Sequence, residues 1–89
     1  MNPAGARPCL NPLFRMQWEQ AQQSWVLLYP EGMVKLNQSA AEILRRCDGE
    51  RDMQGIVTDL EQAFSATGLA ADVNAFLEIA RAQRWVVWK

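Results

Sequence analysis

The stretch Leu28-Tyr29-Pro30-Glu31-Gly32-Met33-Val34-Lys35-Leu36-Asn37-Gln38-Ser39-Ala40 decides the fold. Pro30-Glu31-Gly32 is a chain reversal, since Pro presets φ at the second turn position and Gly is available where φ turns positive. Between that turn and a helix start, Met33-Val34-Lys35-Leu36 has room only for a short strand. Val34 and Leu36 fall on one face and Met33 and Lys35 on the other. Asn37 and Ser39 are both suitable N-caps, and Ser39-Ala40-Ala41-Glu42 has capping-box spacing. The stretch therefore reads as strand, turn, strand, helix.

Upstream, Trp25-Val26-Leu27-Leu28-Tyr29 is an unbroken apolar run, which suits a strand buried on both faces and so central in its sheet. The polar run Gln20 to Ser24 has the length of a hairpin connection. Before it, Phe14, Met16 and Trp18 alternate with Arg15, Gln17 and Glu19, the period of a strand with one face on a core. Residues 1–12, with Pro3, Gly5, Pro8 and Pro12, have the composition of a flexible N-terminal arm.

Downstream, Ile43, Leu44 and Cys47 sit at helical spacing, with Asp48-Gly49 as the stop. Asp52 caps a second helix in which Met53, Ile56, Val57, Leu60 and Phe64 recur as an amphipathic stripe that ends before Gly68. A third helix begins near Ala71 or Asp72 and carries Val73, Phe76, Leu77 and Ala80, with Ile79 and Gln83 to one side. Trp85-Val86-Val87-Trp88 is β-prone and suits either a short strand or packing on the sheet. The expectation is one α+β domain over residues 13–89. A three-stranded antiparallel sheet is followed by three helices, in the manner of winged helix-turn-helix domains.

At 89 residues the chain supports a single core and leaves little material for a deep active site. Nine Lys and Arg stand against ten Asp and Glu, with no block of either sign, so no nucleic-acid footprint is visible. No apolar run approaches the roughly 20 residues of a membrane-spanning helix, and the N-terminus lacks the apolar centre of a signal peptide. A cytoplasmic location is the default expectation. There is no histidine, which removes the commonest general base and the commonest transition-metal ligand. The two cysteines, Cys9 and Cys47, have no metal-binding or redox spacing. Glu42, Asp48, Asp52 and Asp72 fall at helix ends, where capping and the macrodipole explain them. Neither catalysis nor a bound metal or cofactor is expected.

If the apolar strand is central, the strand Gly32 to Leu36 has one neighbour, and its other edge exposes unpaired N–H and C=O groups. Lys35 can simply blunt that edge, and composition alone favours this plainer account. Alternatively another chain adds a strand there, with a neighbouring helix supplying side-chain pockets. The third helix offers that wall through Phe76, Ile79 and Ala80. Two other readings stay open. A winged-helix DNA-binding regulator needs a basic recognition helix, and the second helix holds Asp59 and Glu61 with no Lys or Arg after Arg51. A self-association domain would use the same edge to form a homodimer.

The run Leu28-Tyr29-Pro30-Glu31-Gly32-Met33-Val34-Lys35-Leu36-Asn37, followed by Ser39-Ala40, Ile43-Leu44 and Cys47-Asp48-Gly49, resembles the pyrroloquinoline quinone (PQQ) biosynthesis protein D family, PqqD. Ile56, Leu60, Asp72-Val73, Phe76-Leu77 and Trp85 extend the resemblance over roughly Pro12 to Trp88. It implies a non-catalytic peptide chaperone, similar to the recognition elements that present precursor peptides of ribosomally made natural products to modifying enzymes. The precursor would lie as an added strand beside Met33, Val34, Lys35 and Leu36, held against Phe76, Ile79, Ala80 and Arg84. It would be delivered to a radical S-adenosylmethionine enzyme that joins its Glu and Tyr, the iron–sulfur chemistry belonging to that partner. Lys35, Arg81 and Arg84 would attract an acidic peptide.

Overall fold

Trp25, Val26 and Leu27 leave no polar face for water, and the segment that contains them is accordingly the middle strand of the sheet in the computed structural model, which describes residues 6–88. The elements in chain order are β1 (Pro8–Leu10), β2 (Arg15–Glu19), β3 (Ser24–Tyr29), β4 (Gly32–Lys35), α1 (Gln38–Arg45), α2 (Met53–Ala63), α3 (Ala70–Ala82) and β5 (Val86–Trp88). Strands β2, β3 and β4 form an antiparallel sheet in that order, and β1 and β5 form a separate two-stranded antiparallel sheet. The α+β architecture of three strands followed by three helices is as expected.

Alternation places Met16, Leu27 and Val34 opposite one another on one face of the sheet, and this face joins the core. Each helix adds to that core: Ile43 and Leu44 from α1, Ile56, Val57 and Leu60 from α2, and Val73, Leu77 and Ala80 from α3. Burying one such aliphatic side chain is worth about 1.5–3 kcal/mol, so this shared cluster is the main favourable term in a chain of this size. On the other face Val26 is also fully buried, flanked in register by Gln17 and Lys35.

Helix α1 is capped by Asn37, whose Oδ1 accepts the Ala40 N–H at 2.8 Å. The Ser39–Glu42 capping box does not form, because Asn37 already takes the extended cap conformation and puts Ala40 where the box needs its Glu. Glu42 instead faces Arg45 and Arg46. The helix closes at Arg45, two residues short of Cys47, which is buried beyond its end. Gly49 (φ 78) serves the following turn rather than the helix stop. In α2, Asp52 is the cap and accepts from Gly55 N–H at 2.8 Å. Phe64, the last residue of the stripe, falls just past the helix and stays 47% exposed. Helix α3 starts at Ala70, slightly earlier than its composition suggests, and Glu61 of α2 accepts the Leu69 N–H at its entry at 3.1 Å. Gly32 pairs in the sheet opposite Tyr29, and the left-handed glycines among the described residues are Gly49 and Gly68.

The larger departure concerns the expected arm. Residues 1–5 lie outside the described residues, but Pro8–Leu10 is a strand held on both sides. It pairs with β5 through Pro8↔Trp88, Cys9↔Val87 and Leu10↔Val86. Its other side meets the α1–α2 connection, where Leu10 N–H donates to the Cys47 carbonyl at 3.1 Å and Gly49 N–H to the Pro8 carbonyl at 3.0 Å. Asn11 continues the tie, its backbone N–H donating to Trp85 O and its Nδ2 to Arg84 O, both at 2.8 Å. These partners are more than seventy positions away in sequence, so no local pattern announces them.

Candidate functional site: an open strand edge

Strand β4 has β3 on one side, and among the described residues no strand on the other. Its register pairs Gly32 with Tyr29, Met33 with Leu28, Val34 with Leu27 and Lys35 with Val26. Beyond the last pair, Leu36 N–H donates to the Trp25 carbonyl at 2.9 Å. Leu36 and Trp25 are therefore a hydrogen-bonded pair of an antiparallel ladder, in which bonded and non-bonded pairs alternate. Val34 and Gly32 then bond inward to β3 as well. The N–H and C=O groups of Met33 and Lys35 point out of the sheet at the open edge.

The side chains divide the same way. Val34 is half-buried against the core and Leu36 is buried, whereas Met33 is 46% exposed and Lys35 is exposed. Of the four strand residues singled out from sequence, Val34 and Leu36 anchor the edge while Met33 and Lys35 present it. Neither Lys35 nor Arg84 belongs to an ion pair among the described residues, and Arg81 pairs with Glu78 at 3.1 Å.

The four residues expected on the helix wall have different settings. Ile79 is 56% exposed, and Phe76 is half-buried with its ring 6.3 Å from that of Trp85. Ala80 departs from expectation: it is 0% exposed within the core and presents no surface of its own. Arg84 is exposed but lies past the end of α3 in a left-handed conformation (φ 66), placed by its carbonyl's bond from Asn11. Ala80 faces inward with Val73 and Leu77 to seat the helix on the core.

Two indirect links relate the ends of β4 to the ends of α3. At the turn end of β4, the Tyr29 ring lies 5.3 Å from that of Phe14, Phe14 N–H bonds to Asn11 O, and Asn11 bonds to Arg84 and Trp85 at the close of α3. At the other end, Gln38 and Ser39, directly after β4 and its cap, line a cavity together with Leu69, Asp72 and Val73 at the start of α3. The cavity, about 390 Å³, also takes in Phe64, and was not foreseen from sequence. Its one signal was Phe64 itself, an aromatic at the very end of an amphipathic stripe.

Away from the edge, Arg46 joins α1 to α2 through hydrogen bonds to Glu42 and Asp59. Burial works against its charge, but these bonds outweigh it and raise its pKa, while the Arg46 bond holds the Asp59 carboxyl below the ordinary range. Burial pushes the Cys47 thiol up to about 12, so it is neutral and unreactive at physiological pH. No group of three or more His, Cys, Asp or Glu side chains placed to hold a metal ion occurs among the described residues. None of their helices is long and apolar enough to cross a membrane.

Comparison with known proteins bears on what such an edge serves. A family model described as coenzyme PQQ synthesis protein D (PqqD) matches residues 24–86. A PqqA binding protein of Methylococcus capsulatus is 51% identical over 77 residues, covering 86% of this chain and 83% of that one. A PqqA binding protein of Pseudomonas aeruginosa is 54% identical over 80 residues, covering 89% and 87%. Among solved structures, the PqqD truncation of Methylobacterium extorquens PqqCD superposes with a TM-score of 0.75 at 26% identity, covering 90% of this chain and 87% of that one. It is described as a functional, stand-alone recognition element for a ribosomally synthesized and post-translationally modified peptide. PqqD from Xanthomonas campestris gives a TM-score of 0.57 at 28% identity, covering 96% and 97%.

Proposed function

The chain belongs to the PqqD family, and on that premise we propose that it binds the PQQ precursor peptide PqqA by strand addition at β4 and presents it to a modifying enzyme. The observation that carries this reading is the orientation of β4: Met33 and Lys35 hold two N–H and two C=O groups at an edge that no strand of the described chain covers. An extended peptide laid there pairs its backbone with those groups, at about 0.5–1.5 kcal/mol net for each hydrogen bond. Ile79 and Phe76 supply apolar surface from α3, and Lys35 and Arg84 supply unpaired positive charge that speeds encounter with an acidic segment. A preformed edge lowers the ordering cost of a flexible peptide and holds it at high local concentration beside its enzyme.

In this reading the chain itself catalyses nothing and works in the cytoplasm. The crosslinking of the peptide's Glu and Tyr falls to a radical S-adenosylmethionine partner. The test is an amide-shift titration of the full chain with synthetic precursor peptide. Shifts concentrated at 33–36 together with α3 support the reading, while shifts confined to Trp85 and Trp88 overturn it. Lys35→Glu should weaken binding by calorimetry, with the loss shrinking at high salt. An unchanged affinity removes Lys35 from the electrostatic role.

A further inference from the structure

The cavity beyond the end of β4 has no part in the strand pairing just described. Its floor is made by Ile43, Leu60 and Val73, which are buried core residues, so the opening reaches down to the main apolar cluster. Phe64 stands at its lip, 47% exposed, one of few large apolar side chains the fold leaves in water. The polar part of the rim carries Glu42 and Asp72 and no Lys or Arg. Glu42 is engaged by Arg45 and Arg46, whereas Asp72 forms no ion pair among the described residues.

Position supplies the occupant. The open edge ends at Lys35 and Leu36, Asn37 caps α1, and the next two residues, Gln38 and Ser39, are already cavity wall. The opening thus begins within a few residues of the end of the paired edge, within reach of a peptide paired along Met33 and Lys35.

We propose that the cavity is an anchor subsite for one large apolar side chain of the bound peptide, immediately outside the paired segment and next to a basic residue that meets Asp72. The proposal rests on the strand-addition reading for its geometry, and its chemistry is separate: edge pairing is indifferent to side chains, whereas the cavity selects one. A chain with this subsite distinguishes its own precursor from any other extended peptide, because burial of an aromatic or large aliphatic group adds to the sequence-independent backbone bonds.

The experiment pairs two variants of the full chain with synthetic PqqA peptides in which each large apolar residue is replaced in turn by Ala. Phe64→Ala removes the lip, and Ser39→Phe, at an exposed position, fills the opening. Each should weaken binding of the unaltered peptide about tenfold, the loss expected when a large side chain gives up part of its burial. For one peptide position the loss from Phe64→Ala and the loss from the peptide substitution should not add. Asp72→Asn should weaken binding a further few-fold and reduce its dependence on salt.

Amide shifts separate the two readings. If the 33–36 amides move on peptide addition but Ile43, Leu69 and Val73 do not, and Phe64→Ala binds normally, the subsite is overturned and strand addition stands. If the peptide binds while neither set moves, both fall. If Phe64→Ala changes the sedimentation of the free protein and leaves peptide affinity alone, the cavity belongs to a second copy of the chain and the proposal is wrong.

Discussion

Strands β1 and β4 are both short, and the chain treats them in opposite ways. β1 is sealed: β5 covers one side, the Cys47–Gly49 segment covers the other, and Asn11 ties the adjoining chain to the end of α3. β4 keeps one side open, with the hydrogen-bonding groups of Met33 and Lys35 directed away from the fold. Exposed edges invite unwanted pairing, and proteins commonly close them. β1 is closed by β5 and by the α1–α2 connection, whereas among the described residues no strand covers the outer side of β4, nor that of β2 at the far edge of the same sheet.

The largest expected effect is on the sealed side. Removing residues 1–11 exposes one face of β5, frees Gly49 N–H and the Cys47 carbonyl, and deletes both Asn11 bonds. Summed over these bonds and the apolar area of Pro8 and Leu10, the loss should be about 3–5 kcal/mol by urea denaturation. Cys47, shielded in the intact chain, should then react with iodoacetamide far faster at neutral pH. A truncated chain as stable as the full one would make β1 incidental and erase the contrast.

Proline substitutions probe the open side, because the two kinds of β4 residue point their N–H groups in opposite directions. Val34→Pro removes a donor from the β3–β4 ladder and should cost about 3 kcal/mol. Lys35→Pro removes a donor that faces outward, which an edge strand tolerates, and should cost under about 1 kcal/mol while weakening precursor binding at least tenfold. Equal stability losses for the two would refute the assigned bonding alternation. Equal peptide affinities for Lys35→Pro and the unaltered chain would refute strand addition.

A smaller effect is expected on the helix side. Ile79→Ser changes an exposed position, so stability should stay within about 0.5 kcal/mol, whereas precursor affinity should fall a few-fold if α3 walls the groove. Ala80→Ser, placed in the core, should show the reverse pattern: destabilised, with the peptide bound normally by the folded fraction. That pair tests the division of α3 into an outward and an inward position.

The contrast between the two ends also marks what could be read in advance. The strands of the open side follow from local signals: the apolar run that makes β3 central, the Pro-Glu-Gly reversal, and the cap that ends β4 within a few residues. The sealed side depends on Pro8 pairing with Trp88, and three prolines near the N-terminus imitate a loose arm whatever that segment meets across the fold. The same limit applied to Ala80, whose stripe position allowed either a wall or a core role until the packing of α3 against α2 and β5 chose between them. The cavity is harder still. It arises where the start of α1, the end of α2 and the start of α3 converge, and periodicity along any one helix carries no record of a gap between three.

The smallest effect is a pH dependence confined to the sealed end. Asp48, opposite Cys9, accepts the Glu50 N–H at 2.8 Å and the Arg51 N–H at 3.2 Å and pairs with the Arg51 guanidinium at 3.0 Å. The Glu50 bond first, then those from Arg51, hold its carboxyl below the ordinary range. A carboxyl whose pKa is lowered by folding stabilises the native state above its unfolded value, near 3.9, and loses that contribution as pH falls through its folded value. Asp48→Asn should therefore lower the urea midpoint slightly at pH 7, with the gap to the unaltered chain closing below about pH 4. Asp48 takes no part in the β4 edge, so precursor binding to the folded chain should not depend on Asp48 at any pH at which the chain stays folded. A binding defect in Asp48→Asn at neutral pH would mean that the two ends are coupled through the core, and that sealing one edge also positions the other.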